Sequence, residues 1–346
     1  MHTILGLFFH TIGGISSGSF YMSLKKVKDW SWESYWLVGG LFSWLIVPFI
    51  AAYITIPEFL SIITSEDSKT LYITFSMGLI WGIGGLTYGL GIRYLGMSLG
   101  NSIVLGFSSA FGAIVPAIYY NFYPSEGKVN FSQMISSNGG QLVLGGVLVC
   151  LIGIAISGKA GVMKENNAKK EFQDEFNLVK GLIIAILSGI LSAFFNYGIE
   201  AGKPLADEAV RLGYNPLFQN NVTYIVLLWG GLTTNFIWCI YLNFKNKSFV
   251  DYTNPNTPIA SNVLFSAIGG TLWFLQFFFY GMGESKLGNG ASSWILHMAT
   301  IILTGNFWGL YLKEWQGVNR KTFRTFILGI AAILLSIILV GIGNSI

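Results

Sequence analysis

The chain has 346 residues, 53% of them hydrophobic and only 10% charged, with a net charge of +4 and a mean hydropathy of +0.59. A soluble domain carries roughly a quarter charged residues, so a soluble enzyme is excluded, as is a nucleic-acid binder. The two cysteines, Cys150 and Cys239, lie in apolar runs without metal or redox spacing, and no disulfide is indicated.

Apolar runs of about 20 residues cross the hydrocarbon core as helices. They predict ten spans, at 3–23, 34–56, 71–91, 97–120, 140–158, 179–199, 217–242, 261–282, 291–312 and 324–343. Span one is a retained helix rather than a signal peptide, because its charges (Lys25, Lys26, Lys28) follow the apolar stretch instead of preceding it. It carries His10 near its middle. Span two opens on Glu33 among Trp30, Trp32 and Trp36. The tryptophans read as an interfacial belt. Glu33 either complements the positive end of the helix or takes up a proton. In span three, Gly82-Ile83-Gly84-Gly85 lets helices pack closely.

A polar stretch at 159–178 reads as a linker between a first unit, 1–158, and a second, 179–346. Span six ends on Asn196 and Glu200, followed by Lys203-Pro204. Glu200 and Lys203 read as an ion pair at the helix end. Span eight holds Gln276 between Trp273 and Tyr280, as interhelical glue or as a cavity lining. Span nine holds His297, just after Trp294. Each histidine either hydrogen-bonds a backbone carbonyl or serves a ligand or proton, since ionisable groups in the membrane are costly and usually face a cavity.

One pattern is written twice, 192 positions apart: Trp81, Tyr88-Gly89, Leu95-Gly96, and Trp273, Tyr280-Gly281, Leu287-Gly288. The copies fall in spans three and eight, the third of each group of five. Five is odd, so the second group enters the membrane in the opposite sense. The expected fold is an all-α integral membrane protein of ten transmembrane helices in a five-plus-five inverted repeat, a plan many transporters share. Lys and Arg number 15 in the odd connections and 5 in the even ones. The odd loops are therefore expected in the cytoplasm, with both termini on the other side.

No metal-binding histidine pair, phosphate loop or nucleophile elbow appears, and no cofactor is indicated. Amide, hydroxyl, imidazole and aromatic groups with few fixed charges suit a neutral polyhydroxylated ligand better than a nucleotide. Histidine titrates near neutral pH, and a partly desolvated carboxylate can be brought into the same range.

The chain resembles the L-rhamnose–proton symporter family of the drug/metabolite transporter superfamily. The likeness runs nearly end to end. Its most specific pieces are His10; Lys25-Lys26-Val27-Lys28; Trp30-Ser31-Trp32-Glu33; Trp81-Gly82-Ile83-Gly84; Arg93-Tyr94-Leu95-Gly96-Met97-Ser98; Leu275-Gln276-Phe277-Phe278-Phe279-Tyr280; Leu296-His297-Met298; and Leu312-Lys313-Glu314-Trp315. Gly85-Leu86-Thr87 and Glu200 depart from its pattern. The resemblance implies uptake of L-rhamnose or a related deoxysugar with a proton, in the lipid of the bacterial inner membrane, with both termini periplasmic. On this reading Gln276, His297, Asn196 and His10 contact sugar hydroxyls, and Trp81, Tyr88, Trp273 and Tyr280 form aromatic walls. Glu33 is the first choice for the proton carrier and His10 the second. The rival expectation is an exporter or permease of the same fold with another substrate.

Overall fold

The computed structural model describes residues 2–95, 97–122, 130–167, 178–288, 290–313, 315–343 and 346. Gly96, Glu314 and residues 168–177 of the expected linker lie outside the described residues. The described chain is helical, with no strand among these residues. Its helices are α1 (His2–Leu24), α2 (Trp32–Leu41), α3 (Val47–Thr55), α4 (Phe59–Ser65), α5 (Ser68–Leu95), α6 (Met97–Phe122), α7 (Phe131–Ser136), α8 (Asn138–Asn167), α9 (Leu178–Ser192), α10 (Phe194–Ala201), α11 (Lys203–Arg211), α12 (Asn220–Asn246), α13 (Ile259–Leu287), α14 (Gly290–Tyr311) and α15 (Arg320–Gly343). Eight segments among the described residues are long and apolar enough to cross a membrane. The protein is an integral membrane protein of the multi-pass type. Helix α8 continues to Asn167, so the first residues of the expected linker are helical.

Long-range packing follows an ordered scheme. Helix α1 lies against α13 and α14, and α9 lies against α5 and α6. Helix α5 also meets α12, and α13 also meets α2. Three further pairs close the bundle: α6 with α14, α8 with α15, and α2 with α12. Two of these crossings are glycine on glycine. A Cβ on Gly270 of α13 would strike the Gly39 carbonyl of α2, and one on Gly230 of α12 would lie 2.9 Å from the Gly78 carbonyl carbon of α5. Without a hydrophobic drive between helices in lipid, such close backbone approach is what small residues supply.

Between α2 and α3 the chain forms a π-helix, Phe42–Ile46. Pro48 explains it. Proline has no N–H and its ring clashes with the carbonyl four residues back, here Trp44, so the α-helical pattern cannot run through. The widened turn directs Trp44 into the bundle, where it is 2% exposed. Trp30 and Trp36 are buried as well, which corrects the expectation of an interfacial belt: Trp36 Nε1 donates to Asn235 Oδ1 of α12 at 3.0 Å, and that buried partner draws the ring inward.

The turn after α1 is pinned by one side chain. Asn262, fully buried, accepts from the Lys28 N–H at 3.0 Å and donates to the Lys28 carbonyl at 2.7 Å. Asn262→Ala would leave both backbone groups without their partner. It is expected to cost about 2 kcal/mol of stability, checked by thermal unfolding of the purified protein.

Candidate functional site

A cavity of about 60 Å³ lies between α1, α5, α6, α9, α13 and α14. Its walls include Phe20, Trp81, Tyr88, Trp273, Gln276 and Trp294, with the hydroxyls of Ser17 and Ser192. Gly85 is also in the wall and would meet nothing within 4 Å if given a Cβ, whereas Gly82 and Gly84 pack against the backbones of Gly231 and Ser192. The glycine run of span three thus divides its work between packing and lining.

Four tryptophans from different elements meet beside this cavity. Trp273 has its ring centre 5.4 Å from Trp36, 5.7 Å from Trp44 and 6.3 Å from Trp81, all edge to face. Phe20 packs on Trp273 at 4.9 Å. Edge-to-face aromatic contacts add roughly 0.5–1.5 kcal/mol each beyond the area they bury. The cluster is therefore a stiff wall presenting C–H edges and ring faces.

Gln276 is the one amide among the described residues of this wall. It is 4% exposed, and its side chain hydrogen-bonds no other described residue. Tyr88 is positioned by donating its Oη to Asn101 Oδ1 of α6.

Four of the expected ligand residues stand behind the cavity rather than on its surface. Tyr280, one turn beyond Gln276, is fully buried, and its Oη donates to Asn196 Oδ1 at 3.4 Å. Asn196 in turn donates to the Gly112 carbonyl of α6 at 2.8 Å. Trp294 stands edge-on to Tyr280 at 5.7 Å and donates Nε1 to the Ser108 carbonyl at 2.9 Å. His10 and His297, both fully buried, lie 5.4 and 5.3 Å from the Tyr280 ring. This layer closes the cavity on the side of Glu200 and Glu284. There Tyr120 Oη donates to Glu200 at 3.2 Å and Asn220 donates to Glu284 at 2.7 Å. The expected Glu200–Lys203 ion pair is not formed. Lys203 pairs with Asp207 at 2.9 Å, because one turn of α11 brings those two side chains to the same face.

Glu33 lies at the other end of the bundle, 4% exposed and outside the cavity wall. Its Oε1 accepts from Ser248 Oγ at 2.6 Å and Asn246 Nδ2 at 2.8 Å. Asp251 stands in the same network, accepting from Ser34 Oγ at 2.7 Å and the Ser31 N–H at 2.8 Å.

The sequence model of the L-rhamnose-proton symport protein (RhaT) family matches residues 1–346. The chain belongs to this family. Curated relatives named "L-rhamnose-proton symporter" include those of Enterobacter sp. (strain 638) and Shigella dysenteriae serotype 1 (strain Sd197), each 39% identical over 344 residues, and that of Citrobacter koseri, 38% identical over the same length. Each alignment covers 98% of this chain and 97% of the relative. Family membership gives the cavity its context: a membrane transport protein rather than an enzyme.

Three residues on or behind the wall carry no local sign of their place. Trp44 is turned inward by a π-helix set by a proline four positions away. Asn101 and Ser108 look like ordinary small polar residues of an apolar span. Trp294 had a signal in its position one turn before His297, on the same helix face.

Proposed function

We propose that the protein is a secondary active transporter that takes up L-rhamnose, or a closely related deoxysugar, with a proton across the bacterial inner membrane. The observation that carries this reading is Gln276: a buried amide with no hydrogen-bond partner among the described residues, set in an aromatic cavity wall, in a chain of this family. A sugar offers hydroxyls to an amide and C–H faces to rings. Pockets that hold small molecules measure roughly 300 Å³ or more. The 60 Å³ cavity is a contracted form of such a site, and alternating access is what widens it.

The architecture proposed is ten transmembrane helices in an inverted five-plus-five repeat, units 1–158 and 179–346, with the odd connections in the cytoplasm and both termini in the periplasm. Helices α1 and α14, of 23 and 22 residues, supply the ninth and tenth crossings. Support for the repeat comes from the packing scheme. Exchanging the halves turns α1 on α13 and α14 into α9 on α5 and α6, and turns α5 on α12 into α13 on α2. It also turns the Gly39–Gly270 crossing into the Gly230–Gly78 crossing.

Trp81, Tyr88, Trp273 and Gln276 are proposed to touch the sugar in the contracted state. Asn196, Tyr280, His10 and His297 are proposed to reach it when the layer behind the cavity opens. Of the two groups considered for the proton, the geometry favours His10, which adjoins the site. Glu33 is held by two donors at the cytoplasmic end. Glu33→Gln is accordingly expected to keep proton-driven accumulation in proteoliposomes, about fiftyfold for one proton at 100 mV. Collapse of accumulation with sugar exchange intact would return the role to Glu33. The test of the whole reading is whether L-rhamnose added to purified protein in proteoliposomes drives proton uptake. No proton flux with L-rhamnose, and none with related deoxysugars, would sink it.

A further inference from the structure

We propose that His10 and His297 form one proton-binding unit, an imidazole pair that carries the coupled proton for α1 and α14 together. The inference rests on the symport reading above. Both rings are fully buried, and none of their four ring nitrogens has a hydrogen-bond partner among the described residues. An orphaned buried polar group costs about 1–3 kcal/mol, so two adjacent imidazoles left in this state call for a ligand. The ring centres are 5.8 Å apart. A shared N–H···N bond between imidazoles needs roughly 5 Å between centres, so a small rotation lets one ring donate to the other.

The seats are built for these rings. A Cβ on Gly283 of α13 would lie 2.6 Å from His10 Nε2, and a Cβ on Gly13 of α1 would lie 2.8 Å from His297 Cε1. Each imidazole thus occupies space that a glycine on a neighbouring helix leaves open.

The other titratable groups set the stoichiometry. On α13, Tyr280 contacts both rings, and Glu284 is one turn further out. On α10, Glu200 is one turn beyond Asn196, with Tyr120 of α6 beside it. On α12, Tyr224 lies behind Phe277. The groups in ring contact with the pair are thus neutral. Two imidazolium charges so close repel strongly, so the pair takes one proton as a unit. That proton bridges two walls of the cavity. Phe20 and Ser17 follow His10 on α1, and Trp294 and Met298 flank His297 on α14.

The experiment is titration of purified protein with L-rhamnose, followed by intrinsic tryptophan fluorescence, at a series of pH values from about 5 to 9, spanning the histidine range. If proton and sugar bind together, the wild-type Kd rises with pH above the pair's midpoint, approaching tenfold per pH unit. His10→Asn and His297→Asn are each expected to flatten this dependence to less than about twofold over the whole range, whatever their absolute affinity. A wild-type slope in either variant overturns the proposal. So does wild-type binding that is independent of pH, although that result leaves the sugar reading intact. Should both asparagine variants lose binding at every pH, Gly283→Ala decides, because it keeps both histidines and displaces the His10 ring. A shifted midpoint supports the pair, and an unmoved one overturns it. If the wild type binds no deoxysugar at any pH, the symport reading falls and this inference falls with it.

Discussion

Gly230→Ala is expected to destabilise the folded protein by about 1–3 kcal/mol or more, a measurable drop in melting temperature. Helices α5 and α12 cross with Gly78 against Gly230. A Cβ at position 230 would sit 2.8 Å from the Leu79 nitrogen and 2.9 Å from the Gly78 carbonyl carbon, and closer still to the Phe75 carbonyl oxygen. These are backbone atoms inside a helix and cannot rotate away, so the helices must separate along their length. Overpacking of this kind costs about 1–3 kcal/mol, occasionally more, against a total stability on the order of 5–15 kcal/mol. Separation would also strip contacts from Trp81, whose ring fills the space over Gly231. Thermal unfolding and size-exclusion profiles in detergent provide the check. Gly145→Ala is the matched control, because a Cβ there meets nothing within 4 Å. In a helix interior that change is expected to be neutral or to stabilise by roughly 0.5–1 kcal/mol. Equal behaviour of the two variants would show that the crossing is looser than described.

Gln276→Ala is expected to weaken L-rhamnose binding by one to two orders of magnitude. The amide offers a donor and an acceptor to sugar hydroxyls, and each neutral hydrogen bond contributes about 0.5–1.5 kcal/mol net. Two of them together correspond to roughly five- to 150-fold in Kd. Folding should be little affected, because the side chain makes no hydrogen bond that the substitution would break and it faces a cavity rather than a packed core. The measurement is a sugar titration together with uptake kinetics in proteoliposomes. The expected signature is a raised KM and a raised Kd at unchanged melting temperature. Unaltered affinity would remove Gln276 from the site.

The aromatic half of the cavity was legible from residue order. Trp81 and Tyr88 are seven apart, as are Trp273 and Tyr280, and seven residues return to the same helix face. Three of those four rings do line the cavity. Tyr280 does not, because Trp294 of another helix stands edge-on between it and the open space. Sequence spacing can place two residues on one face, but it says nothing about what a neighbouring helix lays over them. Trp36 shows the same limit. Its position near a span end reads as a membrane-interface anchor, and only the Asn235 acceptor on α12 turns it inward.

By itself the sequence determined that this chain lives in a bilayer as helices. Backbone groups in hydrocarbon must be satisfied within each segment, and composition and run length report that directly. It also determined the family, since motifs spread along nearly the whole chain carry that resemblance. The tertiary structure decided which polar groups share a space. His10 and His297 are 287 positions apart in sequence, and they meet because Gly13 and Gly283 leave room on the opposing helices. Glu33 and Gln276 are both buried polar residues of apolar spans, yet one is tied into a network at the bundle's end and the other is left alone in a cavity. That difference depends on how each helix is rotated against its neighbours, and contacts distant in sequence set that rotation.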